Sequence, residues 1–264
     1  MRVACIQLTS GKNYKKNFNN VIKFIYQAIK INADLILTPE ATSFLSNDKQ
    51  DIFNNTFKMS EDPLINKIKD IAKKNKKFIV IGSIFVKEKK KLRNRSILIN
   101  SKGKIQIYYD KINMFDVKIS NKEVYNESKN FKPGKQLKFT HLPWGNMGLT
   151  ICYDLRFPEL YRDLGQNNLH FISVPSAFTK FTGKKHWVTL LKARAIENFC
   201  YVFAPAQTGK NHNYRETYGH SLIVSPDGEI LKIKKRGMGI IYTDVDAKYS
   251  IKLRKLIPSI KKYK

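Results

Sequence analysis

Cysteine is scarce, with only Cys5, Cys152 and Cys200 in 264 residues. An odd, widely spaced trio builds neither a disulfide framework nor, alone, a zinc site. Long apolar runs are absent as well. The longest, Phe78 to Val86, is about half of the roughly 20 residues a membrane-spanning helix needs. The N-terminus, Met1-Arg-Val-Ala-Cys-Ile-Gln-Leu8, lacks a signal peptide's apolar stretch and cleavage site and reads as a strand. These absences predict a soluble, cytoplasmic protein with no membrane association.

Arginine is rare too. Only 9 of the 49 basic residues are Arg, against 21 acidic residues and a net charge of +28. A basic surface attracts phosphate, but readers of bases and phosphates lean on the bidentate fork of Arg. Here the excess is Lys, accompanied by 22 Asn, and both residue types have AT-rich codons. Codon drift on a solvated surface is therefore placed ahead of nucleic-acid binding. A composition of 42% hydrophobic and 12% aromatic residues excludes a disordered chain.

Strand and helix signals alternate along the chain. Apolar runs predict strands over 3–8, 34–38, 78–86, 147–152, 170–174 and 201–206. Helical spacing marks 17–30, 63–74, 157–164 and 185–199. Hairpins are expected across Ser101-Lys-Gly-Lys104 and Ser225-Pro-Asp-Gly228. No linker or repeat interrupts the pattern, which predicts one domain over 1–264, of mixed α/β layers with two packed sheets.

Three places carry chemistry. In Gly148-Leu-Thr-Ile-Cys152-Tyr-Asp-Leu-Arg156-Phe-Pro-Glu159 a cysteine stands between an apolar strand and a helix start, with Asp154 as a cap and Pro158 in the first turn. Backbone N–H groups and a helix dipole there favour thiolate and hold an oxyanion. A buried apolar cysteine is the competing reading. Leu35-Ile-Leu-Thr-Pro-Glu40 ends a buried run with a carboxylate whose pKa burial would raise toward general-base use; a solvated Glu is the alternative. Tyr108-Tyr-Asp-Lys111 places a lysine among aromatics, a weak signal in a Lys-rich chain.

Together, Leu37-Thr-Pro-Glu40, Tyr109-Asp-Lys111 and Ile151-Cys152-Tyr-Asp-Leu-Arg156 resemble the three signature blocks of the nitrilase superfamily of carbon–nitrogen hydrolases, in the family's order. The resemblance implies a four-layer αββα sandwich of two mixed sheets flanked by helices, paired as a homodimer or higher homo-oligomer through helices near the site. It implies Glu40 as general base, Lys111 as electrostatic stabiliser and Cys152 as nucleophile. The backbone N–H of Tyr153 would share the oxyanion, and Glu127 matches a second family glutamate that positions substrate and lysine. No metal or organic cofactor is implied, and the partner is a small-molecule amide.

Pro175-Ser-Ala-Phe-Thr179, His186-Trp187, Ala206-Gln-Thr-Gly209 and Tyr218-Gly-His-Ser221 are similar to the deaminated-glutathione amidase branch. That branch implies cleavage of deaminated glutathione to 2-oxoglutarate and cysteinylglycine, a metabolite-repair reaction. An ω-amidase acting on α-ketoglutaramate or another small primary amide is the alternative. A basic nucleic-acid-binding protein on a retained hydrolase fold is more remote. Arg156 is the candidate for a substrate carboxylate, with a salt bridge to Asp154 or Glu159 as the competing role. His186 is expected to pack beside Trp187, Arg194 to pair with Glu197, and Cys5 and Cys200 to lie in the core.

Overall fold

The computed structural model describes residues 1–260 except 47, 90, 122, 213 and 214. Strand residues alternate between two destinations, because successive side chains of a strand point to opposite faces. In the first strand, Ala4 and Ile6 join Val21, Ile25 and Ala28 of helix α1 (Tyr14–Lys30), whereas Val3 and Cys5 join the opposite sheet. Leu35 and Leu37 likewise face inward, and Ile36 faces the helices. That alternation builds the four layers.

The first sheet has the order Gly239–Asp244, Arg2–Gln7, Leu35–Leu37, Phe78–Glu88, Lys91–Ile99 and Ile105–Asp110. Its strands Arg2–Gln7, Leu35–Leu37 and Phe78–Glu88 are parallel, with antiparallel flanks. The second sheet runs Ile230–Lys234, Ser221–Val224, Tyr201–Ala204, Leu169–Ser173, Gly145–Leu149 and Lys138–Leu142. It too has three parallel central strands, Gly145–Leu149, Leu169–Ser173 and Tyr201–Ala204. Helix α1 covers the first sheet, together with a second helix whose Leu64, Ile65, Ile68 and Ile71 are buried. The short helix α2 (Lys49–Asn54) precedes that helix, α3 (Pro63–Asn75). Helices α4 (Pro158–Gly165) and α5 (Lys180–Asn198) cover the second sheet through Tyr161, Leu164, Trp187 and Leu191. The architecture is thus the expected αββα sandwich, with mixed sheets.

Several boundaries move for local reasons. Helix α1 starts at Tyr14, not at 17, because the Asn13 side chain accepts from Lys16 N. Helix α5 starts at Lys180, ahead of the expected 185, because Thr179 caps Thr182 N. The strand expected over 147–152 stops at Leu149. Two-stranded ribbons, Asp116–Ser120 with Glu123–Asn126 and Thr208–His212 with Arg215–Tyr218, and the helix α6 (Ala247–Leu256) carry weak apolar periodicity and were not expected. Both ribbons border the site described next.

Candidate active site

Glu40 lies where the Leu35–Leu37 strand turns away. Thr38 and Thr42 share a hydroxyl hydrogen bond of 2.8 Å, Thr42 Oγ1 donates to the Pro39 carbonyl at 2.7 Å, and Ala41 takes φ 54°. The tight turn needs its neighbour Gly82. A Cβ there would lie 1.8 Å from the Thr38 carbonyl oxygen and 2.5 Å from Pro175 Cβ. Gly82 therefore lets the Glu40 loop and the Pro175 loop close on each other.

Lys111 follows the Ile105–Asp110 strand, and Glu127 follows the Glu123–Asn126 strand. Lys111 Nζ donates to Glu40 Oε1 at 3.0 Å and to Glu127 Oε2 at 2.8 Å. Asn94, buried in the Lys91–Ile99 strand, donates from Nδ2 to Glu40 Oε1 at 3.1 Å and to Glu127 Oε1 at 2.9 Å. The other Glu40 oxygen, Oε2, accepts from the Ala177 N–H (2.9 Å), and Glu127 Oε2 accepts a second donor, the Phe115 N–H (2.8 Å). Two carboxylates and one ammonium are thereby fixed with little exposure: Glu40 is 5% and Lys111 2% exposed.

Cys152 is 6% exposed and opens a short 3₁₀ turn over Cys152–Arg156. It is not a strand residue: φ is 48°, and its N–H donates to the Pro175 carbonyl at 2.9 Å. A left-handed conformation costs a non-glycine residue about 1–3 kcal/mol, a strain tolerated when surroundings over-determine it. Asp154 supplies that constraint. Its expected role as cap of the following helix is not the one it takes. Fully buried, it accepts from Ile151 N (2.9 Å), Asn113 N and Nδ2 (3.0 Å each) and Tyr109 OH (2.8 Å). It thus pins the cysteine turn to the segment carrying Lys111.

The electrostatics correct two expectations. Burial pushes the Glu40 carboxyl up, but the Lys111 ammonium, a hydrogen bond with Cys152 and the Arg215 charge outweigh it, so its pKa falls below the ordinary value. Burial, then the Glu40 charge, push the Cys152 thiol well above its ordinary value, despite the opposing pull of Lys111. The resting pair is therefore carboxylate and thiol, not thiolate. Burial pulls the Lys111 ammonium down, but Glu127 and Glu40 more than compensate and keep it protonated.

These groups open into a cavity of about 290 Å³ that also takes in Tyr153, Arg156 and Arg215. The sequence-derived residues Glu40, Lys111, Cys152, Glu127, Tyr153 and Arg156 all line it. Among the described residues, Arg156 pairs with neither Asp154 nor Glu159. Its Nη1 lies 3.2 Å from His186 Nδ1 and its guanidinium 5.2 Å from the Phe178 ring centre. His186 is exposed and turned to Arg156, so it does not pack with Trp187, which is buried and donates to the His220 carbonyl. Arg194 pairs with Glu197 at 3.0 Å as expected, and Cys5 and Cys200 are core residues. Asn94 and Arg215 escaped the sequence reading. A polar Arg93-Asn-Arg95 run opening an apolar strand was the available signal for Asn94; Arg215 had none.

A carbon-nitrogen hydrolase family model matches residues 2–255. A deaminated glutathione amidase of Dictyostelium discoideum is 38% identical over 97% of this chain and 91% of its own length. The human deaminated glutathione amidase is 34% identical over 97% of this chain and 80% of its own. Among solved structures, Saccharomyces cerevisiae Nit3, a member of branch 10 of the nitrilase superfamily, superposes with a TM-score of 0.87 at 28% identity, covering 99% of this chain and 95% of that one. The C. elegans NitFhit protein superposes with a TM-score of 0.90 at 32% identity over 97% of this chain, which spans 63% of that longer protein. The chain belongs to the carbon-nitrogen hydrolase family, within the nitrilase superfamily, and is an amidase.

Proposed function

We propose that this amidase hydrolyses deaminated glutathione to 2-oxoglutarate and cysteinylglycine through a thioester on Cys152. The observation that carries the reading is a thiol beside a buried carboxylate–ammonium–carboxylate set, in a cleft that also holds Arg156 and Arg215. The relatives named above bear that activity in their names. A substrate with a carboxylate at each end suits two guanidinium groups.

The steps follow from the resting protonation states. Glu40 carboxylate takes the thiol proton as Cys152 Sγ bonds to the amide carbonyl carbon. The carbonyl oxygen becomes an oxyanion, stabilised by the Lys111 ammonium and the Tyr153 backbone N–H. Glu127 and Asn94 hold Lys111 and Glu40 in place. Collapse breaks the carbon–nitrogen bond, and Glu40 gives its proton to the departing amine. Water then attacks the thioester carbonyl as Glu40 takes a water proton; the carbon–sulfur bond breaks, the acid product is released, and Glu40 returns its proton to the Cys152 thiolate. A free thiol of this kind suits a reducing, cytoplasmic setting and a metabolite-repair role. Residues 1–264 act as one domain, and exposed Phe181, Ile196 and Leu256 on α5 and α6 suit a homo-oligomer.

The test is a substrate panel with purified protein. Deaminated glutathione should release cysteinylglycine with the highest kcat/KM. Preference for α-ketoglutaramate or succinamate, read as ammonia release, would overturn the choice of substrate.

A further inference from the structure

Three arginines that are buried or partly buried outside the cleft lining are neutralised. Arg93, Arg95 and Arg194 each pair with a carboxylate at 2.6 to 3.0 Å. Arg215 is not. Among the described residues no carboxylate lies within ion-pair distance of it, and its Nε is buried without a hydrogen-bond partner. Its Nη2 donates to the Ala177 carbonyl at 3.1 Å, and its guanidinium lies 5.2 Å from the Tyr125 ring centre. A half-buried cation with unused donors, facing a cleft, is costly unless an anion arrives.

The surroundings hold Arg215 in place. The Arg215–Tyr218 strand pairs with Thr208–His212, and Tyr218 N donates to the Phe178 carbonyl at 3.0 Å. Thr179 and Thr217 form an antiparallel bridge. The backbone from Ala177 to Thr179 is thus tied to the strand that carries the guanidinium.

Its place relative to the reacting groups decides what it binds. Ala177 donates its N–H to Glu40 and accepts from Arg215 on its carbonyl, so Nη2 lies within about 10 Å of the Glu40 carboxylate. Glu40 gives its proton to the leaving nitrogen, so the leaving fragment extends from the Glu40 side. The acyl fragment stays on Cys152, whose own turn carries Arg156. A dipeptide leaving group spans about 7 Å from its amine to its terminal carboxylate.

Resting on the function proposed above, we infer that Arg215 is a specificity residue that binds the C-terminal carboxylate of the leaving cysteinylglycine. Arg156 remains for the carboxylate of the acyl fragment. The enzyme therefore distinguishes a dipeptide amide from a primary amide by filling a guanidinium that the smaller substrate leaves unpaired.

The test compares deaminated glutathione with its analogue bearing a C-terminal carboxamide, on the wild type, Arg215→Met and Arg215→Lys. The wild type should prefer the free acid by about 10- to 100-fold in kcat/KM, the factor for one charge-assisted contact. Arg215→Met should shrink that preference to within about threefold, chiefly through KM, and Arg215→Lys should keep part of it. Losses common to both substrates, from the lost Ala177 contact, cancel in the ratio. A preference unchanged in Arg215→Met, or a wild type with no preference, overturns the inference while leaving the proposed function intact. A wild type that fails to cleave deaminated glutathione overturns both. Should Arg215→Met not fold, the Arg215→Lys and wild-type ratios decide.

Discussion

Replacing Lys111 with methionine keeps most of the side chain's volume and removes one charge from the centre of the site. The ammonium is the sole cation bonded to both Glu40 and Glu127 among the described residues. Without it, buried Glu40 and partly buried Glu127 face each other across Asn94, with only the more weakly acting Arg215 charge to offset Glu40. Breaking such a buried set by removing one partner costs about 3–5 kcal/mol of stability. One carboxylate then takes up a proton near neutral pH, as closely spaced like charges require. Loss of the oxyanion stabiliser adds a factor of about 10² to 10³ in kcat. The signs are fixed by the shifts. In the wild type Glu40 titrates below the ordinary carboxylate range, so its contribution is present at neutral pH and is lost as pH falls through that lowered value. The acid limb of kcat/KM should therefore lie low in the wild type and move up in Lys111→Met. The assay is kcat/KM from about pH 4 to 9, with thermal melting at both ends. Lys111→Met combined with Glu127→Gln should regain stability, because one stranded charge is gone, but not activity. An acid limb that stays in place, or a double variant no more stable than the single, would refute the electrostatic account.

Cys152→Ala should abolish turnover while its melting temperature stays close to the wild type, since the sulfur's partners, Glu40 and the Ala177 backbone N–H, also bond each other; wild-type turnover would defeat the mechanism. Gly82→Ala should lower stability by about 2 kcal/mol or more and impair activity, because its Cβ meets the Thr38 carbonyl at 1.8 Å. Urea denaturation measures it, and an unchanged midpoint would show that the two loops separate freely. Asn94→Leu removes the bridge between the carboxylates, so kcat should fall about tenfold or more with KM little changed. A change confined to KM would place Asn94 in substrate binding instead.

The sequence by itself determined the layers and singled out Glu40, Lys111 and Cys152, the proposed base, stabiliser and nucleophile. Apolar runs at period two and helical stripes at 3.6 are local properties, and Glu40, Lys111 and Cys152 each follow such a run closely enough for the motif to be seen. Arg194 with Glu197 was legible for the same reason, as neighbours on one helical face. The tertiary structure alone decided what those residues are. The Lys111 ammonium, far away in sequence, turned Glu40 into a low-pKa carboxylate against the effect of burial, while burial and the Glu40 charge kept Cys152 a resting thiol, the reverse of both local expectations. Asn94 and Arg215 gain their meaning only where strands from different parts of the chain meet the same carboxylate or the same peptide. Asp154, read locally as a helix cap, became the clasp between the segments that carry Lys111 and Cys152 because burial left its carboxylate to answer four donors at once. Electrostatics in a low-dielectric interior depends on which groups are neighbours in space, and no local pattern along the chain records that.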